Sequence, residues 1–418
     1  MTTVADKAKP DMSRDHDLDW IKGIACIFML ILHAVVMVGL PPTHRLWTVQ
    51  FTVIHQFYAW FFMASGMNVA RAAERDLLKK DWRRTSAVYL LTAVALFVLG
   101  VAYSINRRTL GEMELFQGVA ACTAVSYIVL RRRWPSWALL VISILLFGVS
   151  IDYGYKYYGY LAQPMVDRII NDTLTWPLWE RFLFVHFSLL PWVGWFLIGA
   201  VVMRLAGTKS EKWLIALFVA FLAASFYAPW YVPRTRVDFF FRAKIDFLFW
   251  SSGVAGLSIL AARHWYRSVR PLNQAIEFIG RESFLIFILQ WFTADGLGDP
   301  LKLIGQATGR DTWMIFPVLQ IATVYITYRL TRYFAARRDR TITQPGYLRF
   351  WGLLTVIFTF LSGVLYYRRP ALSYLLSFPL IVGVGMLFPA VRLVIRNVFG
   401  PRKKQPAVAA PAAPGGDS

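Results

Sequence analysis

The chain has 418 residues, 57% of them hydrophobic and only 17% charged, whereas an ordinary soluble domain is about half apolar and a quarter charged. A single water-soluble core cannot absorb that much apolar material, which excludes a simple soluble domain. The net charge of +21 would suggest nucleic acid in a soluble protein, but the basic residues fall mostly between apolar runs, and membrane topology accounts for them without nucleic acid.

The expected fold class is all-α, a polytopic transmembrane helical bundle with about 10–12 spans. Apolar runs near the roughly 20-residue span of a bilayer begin close to Trp20, Trp47, Ser86, Met113, Trp137, Leu183, Trp213, Ile245, Ile276, Trp313, Phe350 and Ala371. Residues 1–16 read as a short leader, 17–396 as the membrane-embedded domain, and 397–418, rich in Ala, Pro and Gly, as a disordered tail. The first run is too long for a signal-peptide core and lacks a small-residue cleavage site, so it is expected to stay as the first transmembrane helix. Gly280-Arg281-Glu282 interrupts the ninth run, predicting a broken or re-entrant helix of the kind tolerated where it lines a cavity. With the N-terminus in the cytoplasm, about two-thirds of the Lys and Arg residues lie on the cytoplasmic side, which the positive-inside rule favours. Both termini are then cytoplasmic, and the plasma (inner) membrane is the expected location. Arg234, Arg236, Arg242 and Lys244 stand outside, against the rule. Cys26 and Cys122 fall within apolar runs and read as packing residues, too few for a disulfide framework or a cysteine-rich metal site.

Titratable residues at membrane depth are costly and mark functional sites. In the first helix Lys22 and His33 are eleven residues apart, which on an α-helix is about 20° beyond three turns and about 16 Å of rise. They share one face, with the lysine at the cytoplasmic end and the imidazole past mid-bilayer. That arrangement suits a ligand with an anionic end at the surface and a reactive end reaching inward. The alternative is that Lys22 snorkels and His33 is an interhelical hydrogen-bonder. His55, in the second run, falls at a similar depth, so two imidazoles on consecutive antiparallel helices can approach each other or a shared substrate. Below it come Phe61-Phe62-Met63-Ala64-Ser65-Gly66, then Arg71 and Arg75. Ser65 and Gly66 have too little bulk to keep away a slender ligand or another helix, and the arginines can grip phosphate.

These residues resemble the transmembrane acyltransferase superfamily, which includes the acyltransferase 3 and heparan-α-glucosaminide N-acetyltransferase-like families. The resemblance rests on Asp19-x-x-Lys22-Gly23 with His33 beyond it, then Phe61-Phe62-x-x-Ser65-Gly66 and a downstream arginine. It extends through Glu114-Leu-Phe-Gln-Gly-Val-Ala120, Leu189-Leu-Pro-Trp192-Val-Gly-Trp-Phe-Leu-Ile-Gly199 and Ile279-Gly-Arg281-Glu-Ser-Phe-Leu-Ile-Phe-Ile-Leu-Gln290. Two positions depart from the pattern. Lys22 stands where the family has Arg, losing the bidentate fork, and Gln290 stands where a second His is frequent and cannot titrate.

The resemblance implies acyl transfer, acetyl being the expected group, from cytoplasmic acyl-CoA to a hydroxyl or amine of a glycan or lipid-linked acceptor at the outer side. It implies His33 as general base, with His44 in the following loop as the alternative, while His55 is a further candidate from its depth alone. Lys22, Ser65, Gly66, Arg71 and Arg75 are the implied acyl-CoA contacts, and Asp19, Gly23, Trp192 and Arg281 the supporting residues. Acyl-CoA is a substrate, and neither a tightly bound cofactor nor a metal is expected. Membrane lipids are the other expected partners, and a homo-oligomer is compatible with the sequence. A secondary transporter or flippase without covalent chemistry is the competing class.

Overall fold

The computed structural model describes residues 16–38, 57–77, 82–107, 115–158, 189–226, 245–265, 270–290, 316–366 and 370–400, with positions 183, 293, 294 and 297. Twelve helices are found among them: α1 His16–Val38, α2 Phe57–Leu77, α3 Trp82–Arg107, α4 Leu115–Arg131, α5 Ser136–Tyr158, α6 Leu189–Leu205, α7 Glu211–Ser225, α8 Ile245–Trp265, α9 Arg270–Arg281, α10 Phe316–Thr341, α11 Tyr347–Tyr366 and α12 Pro370–Phe399. The described residues contain no strand, so the chain is an all-α bundle. By length and composition, Trp82–Ser104, Tyr347–Val364 and Leu376–Phe399 can each cross a membrane, and Leu115–Arg131, Ser136–Asp152 and Leu189–Leu205 are shorter apolar helices.

Large apolar side chains on the bundle surface have the distribution expected of a lipid-facing wall. Val98, Leu145, Ile321 and Phe360 are exposed, a cost in water that disappears in hydrocarbon. Trp137, Trp213 and Trp265, each at a helix end beside basic residues, are also exposed, as tryptophans of an interfacial belt are. Pro379 and Pro389 lie inside α12, a placement common in membrane helices, where neighbouring groups re-satisfy the freed backbone.

Helices of similar polarity gain little hydrophobic energy by associating in lipid, so close approach through small residues holds them together. Two closely packed pairs form the centre in this way. In α1 and α9, a Cβ added at Gly23 would stand 2.0 Å from the Ile276 carbonyl oxygen, and one at Gly280 would meet the Asp19 carbonyl oxygen at 1.7 Å. In α2 and α6, a Cβ at Gly66 would lie 2.0 Å from the Phe196 carbonyl oxygen, and one at Gly199 equally close to that of Met63. Phe62 stacks on Trp192 at 4.1 Å between centroids, and Trp195 Nε1 donates to Ser252 Oγ of α8 at 2.9 Å. The motif residues of the second and sixth runs therefore form one interface.

Polar contacts tie helix ends on one face of the bundle. Arg263 of α8 meets Asp17 of α1 at 3.5 Å, Arg204 of α6 meets Glu74 of α2 at 2.8 Å and the Trp134 carbonyl at 2.8 Å, and Arg131 of α4 donates to Ser86 of α3 at 2.6 Å. The interruption of the ninth run is confined to Glu282: its N–H still donates to the Phe278 carbonyl at 3.0 Å, its carbonyl still accepts from Ile286 at 2.9 Å, and helical backbone continues through 283–290. The helical hydrogen bonding runs on through Glu282 without a re-entrant break. Cys26 and Cys122 are buried free thiols.

Candidate active site

The continuous α1 helix carries Lys22 and His33 on one face, as their spacing requires. His33 is buried, 3% exposed, and its Nδ1 lies 3.0 Å from Gln290 Oε1 on the helical stretch beyond α9. An amide oxygen can only accept, so in this arrangement Nδ1 carries the proton and donates it, and the lone pair resides on Nε2. Gln290 is itself fully buried, and its backbone carbonyl accepts from Thr293 Oγ1 at 2.9 Å. Thr293 in turn meets Thr327 Oγ1 of α10 at 2.6 Å. These bonds tie the backbone at Gln290 to α10.

At the other end of the same face Lys22 Nζ pairs with Asp19 Oδ1 at 3.1 Å, both side chains largely buried. Arg71, half-buried on α2, lies within the electrostatic reach of Arg75 and of Arg263, and Arg263 is held by Asp17. Lys22 pairs with Asp19 and Arg263 with Asp17, while Arg71 and Arg75 add two further cations beside Arg263. The surplus of positive charge suits an anionic group such as a phosphate. Arg75 is exposed and Ser65 half-buried.

Several candidate positions are resolved differently. The space beside Gly66 is filled by the Phe196 backbone, so a ligand arm cannot occupy it, and Gly66 serves helix packing. Of the expected supporting residues, Gly23 and Trp192 lie in helix packing, and Asp19 both pairs with Lys22 and approaches Gly280. Arg281 meets Glu282 at 3.3 Å, but the stronger partner of Glu282 is Arg338 of α10, which donates to both its carboxylate oxygens at 2.7 and 3.1 Å. His44 and His55 lie outside the described residues.

Sequence reasoning missed Gln290 as a partner of His33, along with Arg263 and the Arg338–Glu282 pair. The signal for Gln290 was an amide inside an apolar run, which in a membrane helix usually bonds across to a neighbour. Nothing local pointed to Arg338, 56 positions away from Glu282.

A family profile described as an acyltransferase domain, of the acyltransferase 3 type, matches residues 15–332. That stretch begins just ahead of α1 and ends within α10, so it includes both ends of the Lys22–His33 face. No curated protein and no solved structure matches the chain.

Proposed function

Because the chain belongs to the acyltransferase 3 family and is a membrane acyltransferase, we propose that it moves an acyl group, acetyl in the simplest case, from cytoplasmic acyl-CoA to an acceptor at the outer face. The acceptor is a hydroxyl or amine of a glycan or a lipid-linked compound. One observation carries this reading: a buried imidazole, fixed through Nδ1 by Gln290, shares a helix face with a cationic cluster about 16 Å away along the helix axis. That distance matches a donor whose phosphates stay at the polar end while its thioester reaches the imidazole.

In the proposed reaction His33 Nε2 takes the proton of the acceptor hydroxyl or amine as its oxygen or nitrogen attacks the thioester carbonyl. The tetrahedral intermediate collapses, the C–S bond breaks, and the CoA thiolate leaves, recovering a proton from the imidazolium. Gln290 Oε1 keeps the ring oriented throughout by accepting from Nδ1. Lys22, Arg71, Arg75 and Arg263 hold the CoA phosphates, and Ser65 borders the path between. Plasma-membrane location with both termini cytoplasmic belongs to the same proposal, since it presents the cationic end to the soluble donor.

The test is incubation of the purified protein, or of inverted vesicles, with acetyl-CoA labelled in the acetyl group. Label appearing on lipid or glycan in step with free CoA release supports the proposal. Movement of an unmodified solute with no consumption of acyl-CoA would instead support a transporter.

A further inference from the structure

A groove runs along the side of α1 away from the Lys22–His33 face, between α1, α9 and α10. Its deep part, about 500 Å³, is lined by Ile27, Ile31, Ile279, Pro317, Ile321 and Val324. A second space of about 490 Å³ adjoins it, bordered by His16, Glu277, Arg281 and Arg332. Ala275 and Tyr328 border both, so an apolar trough and a polar mouth form one continuous feature. Ile27 is five residues from Lys22 and Ile31 two from His33, which turns them about 140° and 160° away from the catalytic face. The groove is therefore separate from the proposed donor path.

We propose that this groove holds one anionic phospholipid of the arginine-side leaflet, its phosphate between Arg281 and Arg332 and one acyl chain along α10. Length is the first argument. From Tyr328 at the mouth to Pro317 at the far end is eleven residues, about 16 Å of helix, close to half of the roughly 30 Å hydrocarbon core. The trough therefore matches the depth of a single leaflet. Charge is the second. His16 Nδ1 already meets Glu277 at 2.8 Å, and Arg338 binds Glu282 through two bonds, so the acidic groups at the mouth are engaged. Arg332 lies over the Tyr328 ring at 5.8 Å and has no carboxylate partner among the described residues. Arg281 lies over Phe278 at 5.1 Å and touches Glu282 through Nε at 3.3 Å, but Arg338 holds both Glu282 oxygens, so the terminal nitrogens of Arg281, its side chain 45% exposed, are left to meet a phosphate. Two guanidiniums at the membrane surface above an apolar trough recognise a phosphate attached to a hydrocarbon chain. A soluble anion lacks the chain, and a zwitterionic phospholipid brings a cation of its own to the two guanidiniums.

The experiment is native mass spectrometry of the full-length, delipidated protein, titrated with phosphatidylglycerol or with phosphatidylcholine of the same chains. Phosphatidylglycerol is expected to bind more tightly, and Arg332→Gln to lose about fivefold of that affinity while weakening phosphatidylcholine less, because the choline cation of that lipid already offsets its phosphate. Arg332→Lys should restore part of the loss. Ala275→Trp, at an exposed position where mouth and trough meet, should weaken both lipids. Equal affinity for the two lipids, or unchanged binding in Arg332→Gln and Ala275→Trp, overturns the proposal. So does displacement of the lipid by glycerol phosphate alone, which would leave the trough without a role. A dimer that Ala275→Trp abolishes, with no lipid bound to the monomer, would overturn it too and assign the groove to a second copy of the chain.

Discussion

His33 and Gln290, 257 residues apart in the chain, are joined by a 3.0 Å hydrogen bond in the buried centre of the bundle. The bond decides which imidazole nitrogen has the lone pair, and it joins α1 to the helical stretch that continues from α9, whose own turns pack on Gly23. Gln290 does not titrate, so it acts as a positioning residue for His33.

Gln290→Leu is expected to lower kcat about tenfold or more, by analogy with loss of the partner that orients a functional histidine, and to leave KM for acyl-CoA nearly unchanged. Gln290→Asn should recover less than Gln290→His, which can still accept from Nδ1. Because an interhelical hydrogen bond in a membrane contributes only about 0.6–1.7 kcal/mol, the folded protein should persist, and its melting temperature serves as the control. A Gln290→Leu enzyme with an unaltered kcat and pH profile would remove the positioning role.

The cationic cluster is expected to act on donor binding alone. Arg71→Gln should raise KM for acyl-CoA about five- to tenfold, a partly exposed charged contact being worth less than a buried one, with kcat little changed. Dephospho-CoA donors should show a smaller penalty than full acyl-CoA if the 3′-phosphate meets this cluster. Steady-state kinetics with the two donors at fixed salt checks the point, and a fall in kcat at constant KM would argue against it.

Helix packing predicts opposite results at two glycines. Gly66→Ala drives a methyl group into the Phe196 carbonyl and should destabilise by about 1–3 kcal/mol, the usual cost of overpacking. At Gly148 of α5 an added methyl group would meet nothing within 4 Å, and Gly148→Ala should be neutral or stabilising by up to about 1 kcal/mol. Thermal unfolding in one detergent compares the pair directly.

At the start of α7, Glu211 accepts from the Gly207 N–H and meets His264 at 3.0 Å. The His264 hydrogen bond, followed by that of Gly207, holds the carboxyl below its ordinary value. A depressed folded pKa contributes stability that is present above the unfolded value of about 4.3 and is lost as pH falls through the folded value. Glu211→Gln should therefore lower the melting temperature at pH 7, and the two proteins should converge in acid. A gap that stays constant down to strongly acidic pH would show that the carboxylate charge is not involved.

Much of the bundle is legible in the sequence because apolar runs of spanning length report directly on helices that face lipid. The starts near Trp137, Trp213 and Ile245 fall within one or two residues of α5, α7 and α8. The ninth element is a different case: α9 begins at Arg270, six residues ahead of the apolar run, because Asn273, Gln274 and Glu277 break up its hydrophobicity while preserving an amphipathic face. At the site, the Lys22–His33 face follows from helical period alone. The Gly66 position does not, since a small residue admits either a ligand or a helix, and only the position of Phe196 decides between them. The His33–Gln290 bond is equally hidden, because no local pattern states which distant amide will reach a given ring.

The role proposed for His33 is that of base in acyl transfer. Its most direct measurement is the single-turnover transfer of labelled acetyl from acetyl-CoA by purified wild-type and His33→Ala proteins matched for folding by melting temperature. His33→Ala is expected to bind acetyl-CoA normally and to transfer the acetyl group about 10²–10⁴-fold more slowly. Transfer at the wild-type rate by His33→Ala would contradict the claim and move the base to His44 or His55.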